Sequence, residues 1–322
     1  MSTRLPVTIV TGFLGSGKTT LVNHLLATQH GLKIAVMVNE IGEIGIDHDL
    51  IISTGEDMLE LSNGCICCSI NNDLVDAVAR VLQRGEALDH LILETTGLAD
   101  PLPIALTFLR PEFRSRVRLD SIVTTADAAN FSLDLFESEP ARNQLRYGDI
   151  ILLNKGDLAG EATLDEVERK IRAIKDEARI IRTTRSEVPL ALIMGLGLFE
   201  TEPVQYHDHR DHDGHDHLAN DGFTSVAFLS NRPFALQQFQ DFLDKQLSPS
   251  VFRGKGILWF AESERRFVFH LVGGRFSLDE GPWTGPRQNR LVLIGRELDG
   301  TAIRHGLEEC LAPAAGLTRA AG

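Results

Sequence analysis

The chain has 322 residues, 43% of them apolar and 24% charged, which suffices for roughly two domains with cores of their own. A formal net charge of -13 argues against a general nucleic-acid or anionic-membrane surface, since each needs a basic face. No apolar run reaches the roughly 18 residues of a membrane span, and no basic segment with an apolar h-region opens the N-terminus, so the expectation is a cytoplasmic protein that binds neither nucleic acid nor membrane.

Val7, Ile9 and Val10 form a short β-branched run, and Leu21, Val22, Leu25 and Leu26 repeat at helical spacing. Between them lies Gly12-Phe13-Leu14-Gly15-Ser16-Gly17-Lys18-Thr19, a full G-x-x-x-x-G-K-[ST] phosphate-binding loop in the strand-loop-helix context it requires. Gly12, Gly15 and Gly17 let the backbone turn tightly, so that consecutive N–H groups and the positive end of the next helix surround a phosphate. Lys18 supplies a charge for the β- and γ-phosphates, the Thr19 hydroxyl is placed for Mg²⁺, and Ser16 and Thr20 complete the binding segment.

Lys33 to Val38 reads as a second buried strand, followed by a loop, Asn39 to Asp47, that carries Glu40, Glu43 and Asp47. These carboxylates suit Mg²⁺, water positioning or a second metal, and equally suit a solvated acidic turn. Met58 to Leu61 reads as a strand and Asn63-Gly64 as a turn. Cys65, Cys67 and Cys68 then precede a helix from about Asn72 to Leu82. Thiolates are favoured at a helix N-terminus, and three of them leave a tetrahedral ion one ligand short, which suits a site that gives its metal away. The alternative is three small buried hydrophobes.

Leu91 to Leu93 form a strand ending at Glu94, the Mg²⁺-side carboxylate, and Gly97 lies where a backbone N–H would meet a γ-phosphate. Lys18, Thr19 and Glu94 are thus the candidate catalytic residues. Asp100-Pro101 starts a helix. Ser121 to Thr125 and Ile150 to Leu153 are further strands, and the second runs into Asn154-Lys155-Gly156-Asp157. The Asp157 carboxylate can accept from N1–H and the amino group of guanine, whereas N1 of adenine would repel it. Lys155 can cover the base and Asn154 can brace the loop, so GTP is favoured over ATP. A helix over Leu164 to Ile174 and a strand over Arg179 to Arg182 complete an alternating pattern. The expected fold is α/β, a doubly wound, mostly parallel sheet of the P-loop NTPase kind, with the motifs at the carboxyl ends of its strands.

Between Thr201 and Gly222 the composition changes to a flexible His/Asp-rich linker. His207, His209, His212, His215 and His217 can collect a transition metal weakly. Beyond it Phe223 to Leu229 alternates as a strand and Pro233 opens a helix that turns Phe234, Phe239, Phe242, Leu243 and Leu247 inward. Ile257 to Ala261, Phe267 to Leu271 and Leu291 to Ile294 read as strands, and Asp299 to Leu311 as a last helix. This second domain is a small α+β sandwich, with Arg253, Lys255, Trp259 and His270 as packing and surface residues. The expected division is 1–200, 201–222, 223–312 and a frayed tail from 313.

Taken together, the phosphate loop, Asn39-Glu40-Ile41-Gly42-Glu43, Gly64-Cys65-Ile66-Cys67-Cys68, Glu94-Thr95-Thr96-Gly97 with Asp100-Pro101, and Asn154-Lys155-Gly156-Asp157 resemble the CobW-type metal-chaperone GTPases, relatives of the nickel accessory GTPases of urease and hydrogenase. The resemblance covers nearly the whole chain. It implies a GTPase with Mg²⁺ whose three cysteines bind a transition metal, whose GTP state controls metal affinity, and whose C-terminal domain helps to meet a client metalloprotein or cofactor enzyme. Glu43 is then the candidate fourth ligand, or a solvent ligand completes the shell. Zn²⁺ is the expected ion, and Co²⁺, Ni²⁺ and Fe²⁺ match subsets of the same ligands. Ile41, Thr125 and Gly156 replace the family's usual phenylalanine, valine and threonine, and Val38 stands where some relatives have a glutamate ligand. Two other readings stay open: a metal buffer with a vestigial nucleotide site, and a P-loop kinase or ATPase with structural cysteines. Oligomeric state is open too, a homodimer included.

Overall fold

A computed structural model of the chain describes residues 4–28, 32–38, 58–60, 74, 78–82, 88–131, 139–194, 223–283 and 285–313. The chain divides into two compact units, Thr3–Leu196 and Gly197–Gly322.

The first unit contains β1 (Leu5–Gly12), β2 (Ile34–Val38), β3 (Met58–Glu60), β4 (His90–Glu94), β5 (Val117–Asp127), β6 (Ile150–Asn154) and β7 (Ile180–Arg182). They form one sheet in the order β3-β2-β4-β1-β5-β6-β7, and every pairing is parallel. Strands covered on both faces need apolar residues at every position, and Ile150, Ile151, Leu152 and Leu153 are all fully buried. Among the described residues the longer flanking helices are α1 (Lys18–Thr28), α2 (Pro101–Phe108), α3 (Glu139–Tyr147) and α4 (Glu161–Ile174). Asp100 starts α2 by accepting the Leu102 N–H, with Pro101 in the first turn where no donor is needed. Its Ile104, Ala105 and Phe108 pack with Val7, Ile9, Leu91 and Leu93. On α3 and α4, Ala141, Leu145, Leu164, Val167 and Ile171 cluster with Ile151 and Leu153. No element is expected over Glu139–Tyr147; it is helical because Ala141 and Leu145 suffice as an apolar face when Asn143 and Gln144 are buried too.

The second unit contains β8 (Phe223–Ser230), α5 (Leu236–Lys245), β9 (Val251–Trp259), β10 (Arg266–Val272), β11 (Arg275–Gly281), β12 (Asn289–Arg296) and α6 (Gly300–Glu309). The sheet order is β11-β10-β9-β12-β8, antiparallel throughout. Three expectations need correction. β9 begins at Val251 rather than at Ile257, because Gly254 and Gly256 serve close packing rather than a turn. A Cβ on Gly254 would lie 2.7 Å from Leu293 Cδ2, and one on Gly256 would lie 2.9 Å from the Arg290 carbonyl oxygen. β11 is an additional strand whose polar sequence suits an edge position. Pro233 does not open the helix, since Phe234 bridges to Phe260 and Leu311 before α5 starts at Leu236. The core is aromatic: the Phe239 ring stacks on Phe234 at 5.0 Å and meets Phe260 and Phe269 edge-on at 5.7 and 5.6 Å. Arg253 and His270 are buried, as packing residues, and the Arg287 guanidinium lies 5.9 Å over the Trp259 ring.

Candidate nucleotide and metal site

Parallel register carries the first unit's motifs to one edge. Val10 pairs with Glu94, Gly12 with Thr125 and Asp127 with Asn154, so β4, β1, β5 and β6 end side by side. Ligands of open α/β sheets bind outside such ends.

The phosphate loop needs its glycines for two separate reasons. Gly12, Gly15 and Gly17 have φ of 139°, 69° and 105°, where side chains are strained. Two of them also have no room, since a Cβ would lie 2.2 Å from the Thr125 carbonyl oxygen at Gly12 and 2.2 Å from Asn154 Nδ2 at Gly17. Ser16 braces the turn, its hydroxyl donating to the Phe13 carbonyl at 2.7 Å and meeting Thr125 Oγ1 at 2.6 Å. Lys18 is only 8% exposed and donates to the Phe13 carbonyl at 3.1 Å, so the ammonium lies against the loop. Thr20 is exposed on the first turn of α1.

The Thr19 hydroxyl donates to Glu94 Oε1 at 2.8 Å, although the two are 75 residues apart in sequence. Glu94 is buried, and a buried carboxylate calls for a compensating cation or donor. A hydroxyl and a carboxylate beside a phosphate loop are hard oxygen donors that fit Mg²⁺. Gly97 follows on the next turn. A Cβ there would come within 2.7 Å of the Leu14 backbone nitrogen, so only glycine lets this turn lie flat on the phosphate loop.

Asn154 holds the base side to the phosphate side. Its Nδ2 donates to the Ser16 carbonyl at 2.9 Å, and its Oδ1 accepts from the Ser186 backbone at 2.9 Å and the Thr183 hydroxyl at 3.3 Å. The Ser186 hydroxyl donates to the Gly17 carbonyl at 3.1 Å. Lys155 adopts a left-handed backbone and reaches Asp127 Oδ2 at 2.6 Å. Burial pushes the Asp127 carboxyl up, but hydrogen bonds from Lys155 and from the side chain and backbone of Asn130 outweigh it and hold the group below its usual range. Asp157 stands exposed in the adjoining 3₁₀ turn (Gly156–Leu158).

Sequence reading passes over Asp127, Thr183 and Ser186. The available signal is position: each follows or ends a parallel strand at the same edge as the motifs, and Thr183-Thr184-Arg185-Ser186 is a polar run directly after β7. Cys65, Cys67, Cys68, Glu43 and the histidines His207, His209, His212, His215 and His217 lie outside the described residues, and among the described residues no group of three or more His, Cys, Asp or Glu could hold a metal. Val38 ends β2 in register with Glu94. No helix among the described residues is long and apolar enough to cross a membrane.

Residues 6–182 match the model of the CobW/HypB/UreG nucleotide-binding domain, and residues 223–311 match the cobalamin synthesis protein CobW C-terminal domain. The chain is similar to the zinc chaperone YjiA of Escherichia coli, 34% identical over 93% of this chain and 96% of that one. It is also similar to the zinc-regulated GTPase metalloprotein activator 1 of Dictyostelium discoideum, 32% identical over 96% of this chain and 80% of that one. The crystal structure of Zn(II)-bound YjiA GTPase from E. coli aligns over 96% of this chain and 99% of that one, at 29% identity and a TM-score of 0.47. Both domain matches together span most of the sequence, and the chain belongs to the CobW/HypB/UreG family of P-loop GTPases.

Proposed function

We propose that the chain is a GTP-hydrolysing zinc chaperone that works in the cytoplasm and hands its metal to a client metalloprotein. The observation that carries the nucleotide half is the meeting of Thr19 and Glu94 at 2.8 Å beside Gly12 to Lys18, with Asn154 tying the base loop to Ser16. In this reading the backbone of Gly12 to Gly17 and the Lys18 ammonium hold the β- and γ-phosphates, and the Gly97 N–H meets the γ-phosphate. Asp157 selects guanine by accepting its two donors, while Lys155, steadied by Asp127, lies over the base. Thr19 and Glu94 would hold Mg²⁺, which neutralises the charge between the phosphates when bound.

The cargo half rests on residues Cys65, Cys67, Cys68 and Glu43 and on the relatives' names, zinc chaperone and zinc-regulated GTPase metalloprotein activator. Three thiolates and one carboxylate make a four-coordinate Zn²⁺ site of borderline softness. The histidines between His207 and His217 would gather the ion at lower affinity, and the C-terminal domain would meet the client.

The test is a competitive titration with Zn²⁺ and Co²⁺ of the full chain in GDP and in a non-hydrolysable GTP analogue with Mg²⁺, beside a phosphate-release assay. Different metal affinities in the two nucleotide states, with measurable GTP turnover, support the chaperone. Coincident titrations and no turnover would overturn it in favour of a metal buffer.

A further inference from the structure

The turn that carries Gly97 is gripped from α3. Gln144 is fully buried, and its Nε2 donates to two carbonyls at once, Gly97 O at 3.1 Å and Ala99 O at 3.0 Å. Beside it Asn143 Nδ2 donates to Asp100 Oδ2 at 2.7 Å, and the other oxygen of Asp100 caps α2 through the Leu102 N–H. The Gln144 carbonyl in turn accepts from the Thr124 hydroxyl at 2.5 Å, which fixes α3 to the centre of the sheet. Two adjacent amides thus hold the start, middle and end of the 97–100 turn against one helix.

The chemistry of Gln144 is specific. Both hydrogens of a single NH₂ are used on carbonyls two residues apart, a task no carboxylate, hydroxyl or apolar side chain can perform. Turning the amide over would set its oxygen against both carbonyls, so the network fixes its orientation. Among the described residues Gln144 Oε1 has no hydrogen-bond partner, so the grip of this side chain on the turn lies in its NH₂ group. Methionine or leucine would fill the same space but leave the Gly97 and Ala99 carbonyls without this donor. The turn so gripped is the one that lies on the phosphate loop, with Gly97 against the backbone of Leu14.

We propose that Gln144, with Asn143, is a positioning residue for γ-phosphate recognition. It clamps the Gly97–Asp100 turn to α3, so that the Gly97 N–H is held where a γ-phosphate arrives and the gain or loss of that phosphate is felt at α3. The inference rests on the nucleotide reading above and adds to it the residues that set the sensor. GDP has no γ-phosphate, so the clamp acts on GTP and not on GDP.

The experiment measures dissociation constants of the full chain, in Mg²⁺, for GDP and for a non-hydrolysable GTP analogue, in the wild type and in Gln144→Met, Gln144→Glu and Asn143→Ala, with melting temperatures recorded alongside. Gln144→Met and Gln144→Glu are expected to bind GDP within about twofold of wild type and the analogue about tenfold more weakly, equivalent to about 1.4 kcal/mol. A purely structural residue would weaken both ligands together. Unchanged ratios of analogue to GDP affinity in the Gln144 variants would overturn the proposal. Should the Gln144 variants fail to fold, Asn143→Ala decides: a smaller shift of the same ratio supports the clamp, and an unshifted ratio overturns it. A wild type that binds neither guanine nucleotide would instead refute the nucleotide reading, and this inference with it.

Discussion

At the carboxyl ends of its strands the first unit buries Thr11, Ser16, Glu94, Thr95, Thr125 and Asn154, none more than 2% exposed. The second unit has its buried concentration in an aromatic core of Phe234, Phe239, Phe242, Phe260 and Phe269. Buried polar groups are costly unless each finds a partner, whereas packed rings need none. A unit that only has to hold its shape can rely on aromatic packing. A concentration of buried polar groups at the strand ends that carry the sequence motifs therefore marks where the chain binds something, and in the second unit no comparable concentration occurs among the described residues.

The sharpest way to break this contrast is Phe239→Ala. It should destabilise the second unit by about 3–5 kcal/mol, the usual cost of emptying an aromatic core site. Both tryptophans, Trp259 and Trp283, belong to that unit, so tryptophan fluorescence in a urea titration reads it selectively. GTP affinity should stay within about twofold of wild type if the two units are energetically separate; a parallel collapse of nucleotide binding would dissolve the contrast. Conversely, Lys18→Ala should lower the rate of phosphate release by about 10²–10³-fold while leaving the fluorescence transition in place.

Asn154→Ala tests whether polar burial in the first unit is structural or functional. It strands the Ser186 N–H and the Ser16 carbonyl, at about 2–3 kcal/mol, and should weaken GDP and GTP alike in a binding titration. Asp157→Ala is milder. It should cut the preference for GTP over ATP by about tenfold without moving the melting temperature, since the residue is exposed.

The smallest expected effect concerns Asp127. Its folded pKa lies below the ordinary 3.8, so the pair with Lys155 contributes stability that is present above that value and fades as pH falls through the folded pKa. Lys155→Met should move the Asp127 pKa upward, measurable by carboxyl NMR titration, and should shift the onset of acid unfolding slightly toward higher pH. An unmoved Asp127 titration would mean that Asn130 alone holds the carboxyl.

Sequence motifs foretell the first unit better than the second for a physical reason. A phosphate loop, a strand-terminal carboxylate and Asn154-Lys155-Gly156-Asp157 are local patterns, and parallel pairing between buried apolar runs leaves little freedom in how they assemble. Gln144, Asp127 and Ser186 were not legible, because each acts through a partner at least 28 residues away, as Lys155 Nζ does on Asp127. In the second unit β9 runs back through Gly254 and Gly256, where sequence carries no strand signal, since glycine in a strand and glycine in a turn look alike until the neighbouring Leu293 and Leu291 are placed. The cysteine motif and the histidine run, both prominent in sequence, lie outside the described residues.

The central place of β1 has a consequence for synthesis. Its neighbours are strands made much later: Val7 pairs with Leu91, and Leu5 with Val117. The phosphate loop thus leaves the ribosome before both walls of its own sheet and waits for them, and its brace at Ser186 comes later still. Parallel sheets closed over such long loops fold slowly, with their strand edges open meanwhile. Nucleotide binding is accordingly expected to appear all at once, after residue 186 has left the exit tunnel, rather than to build up strand by strand.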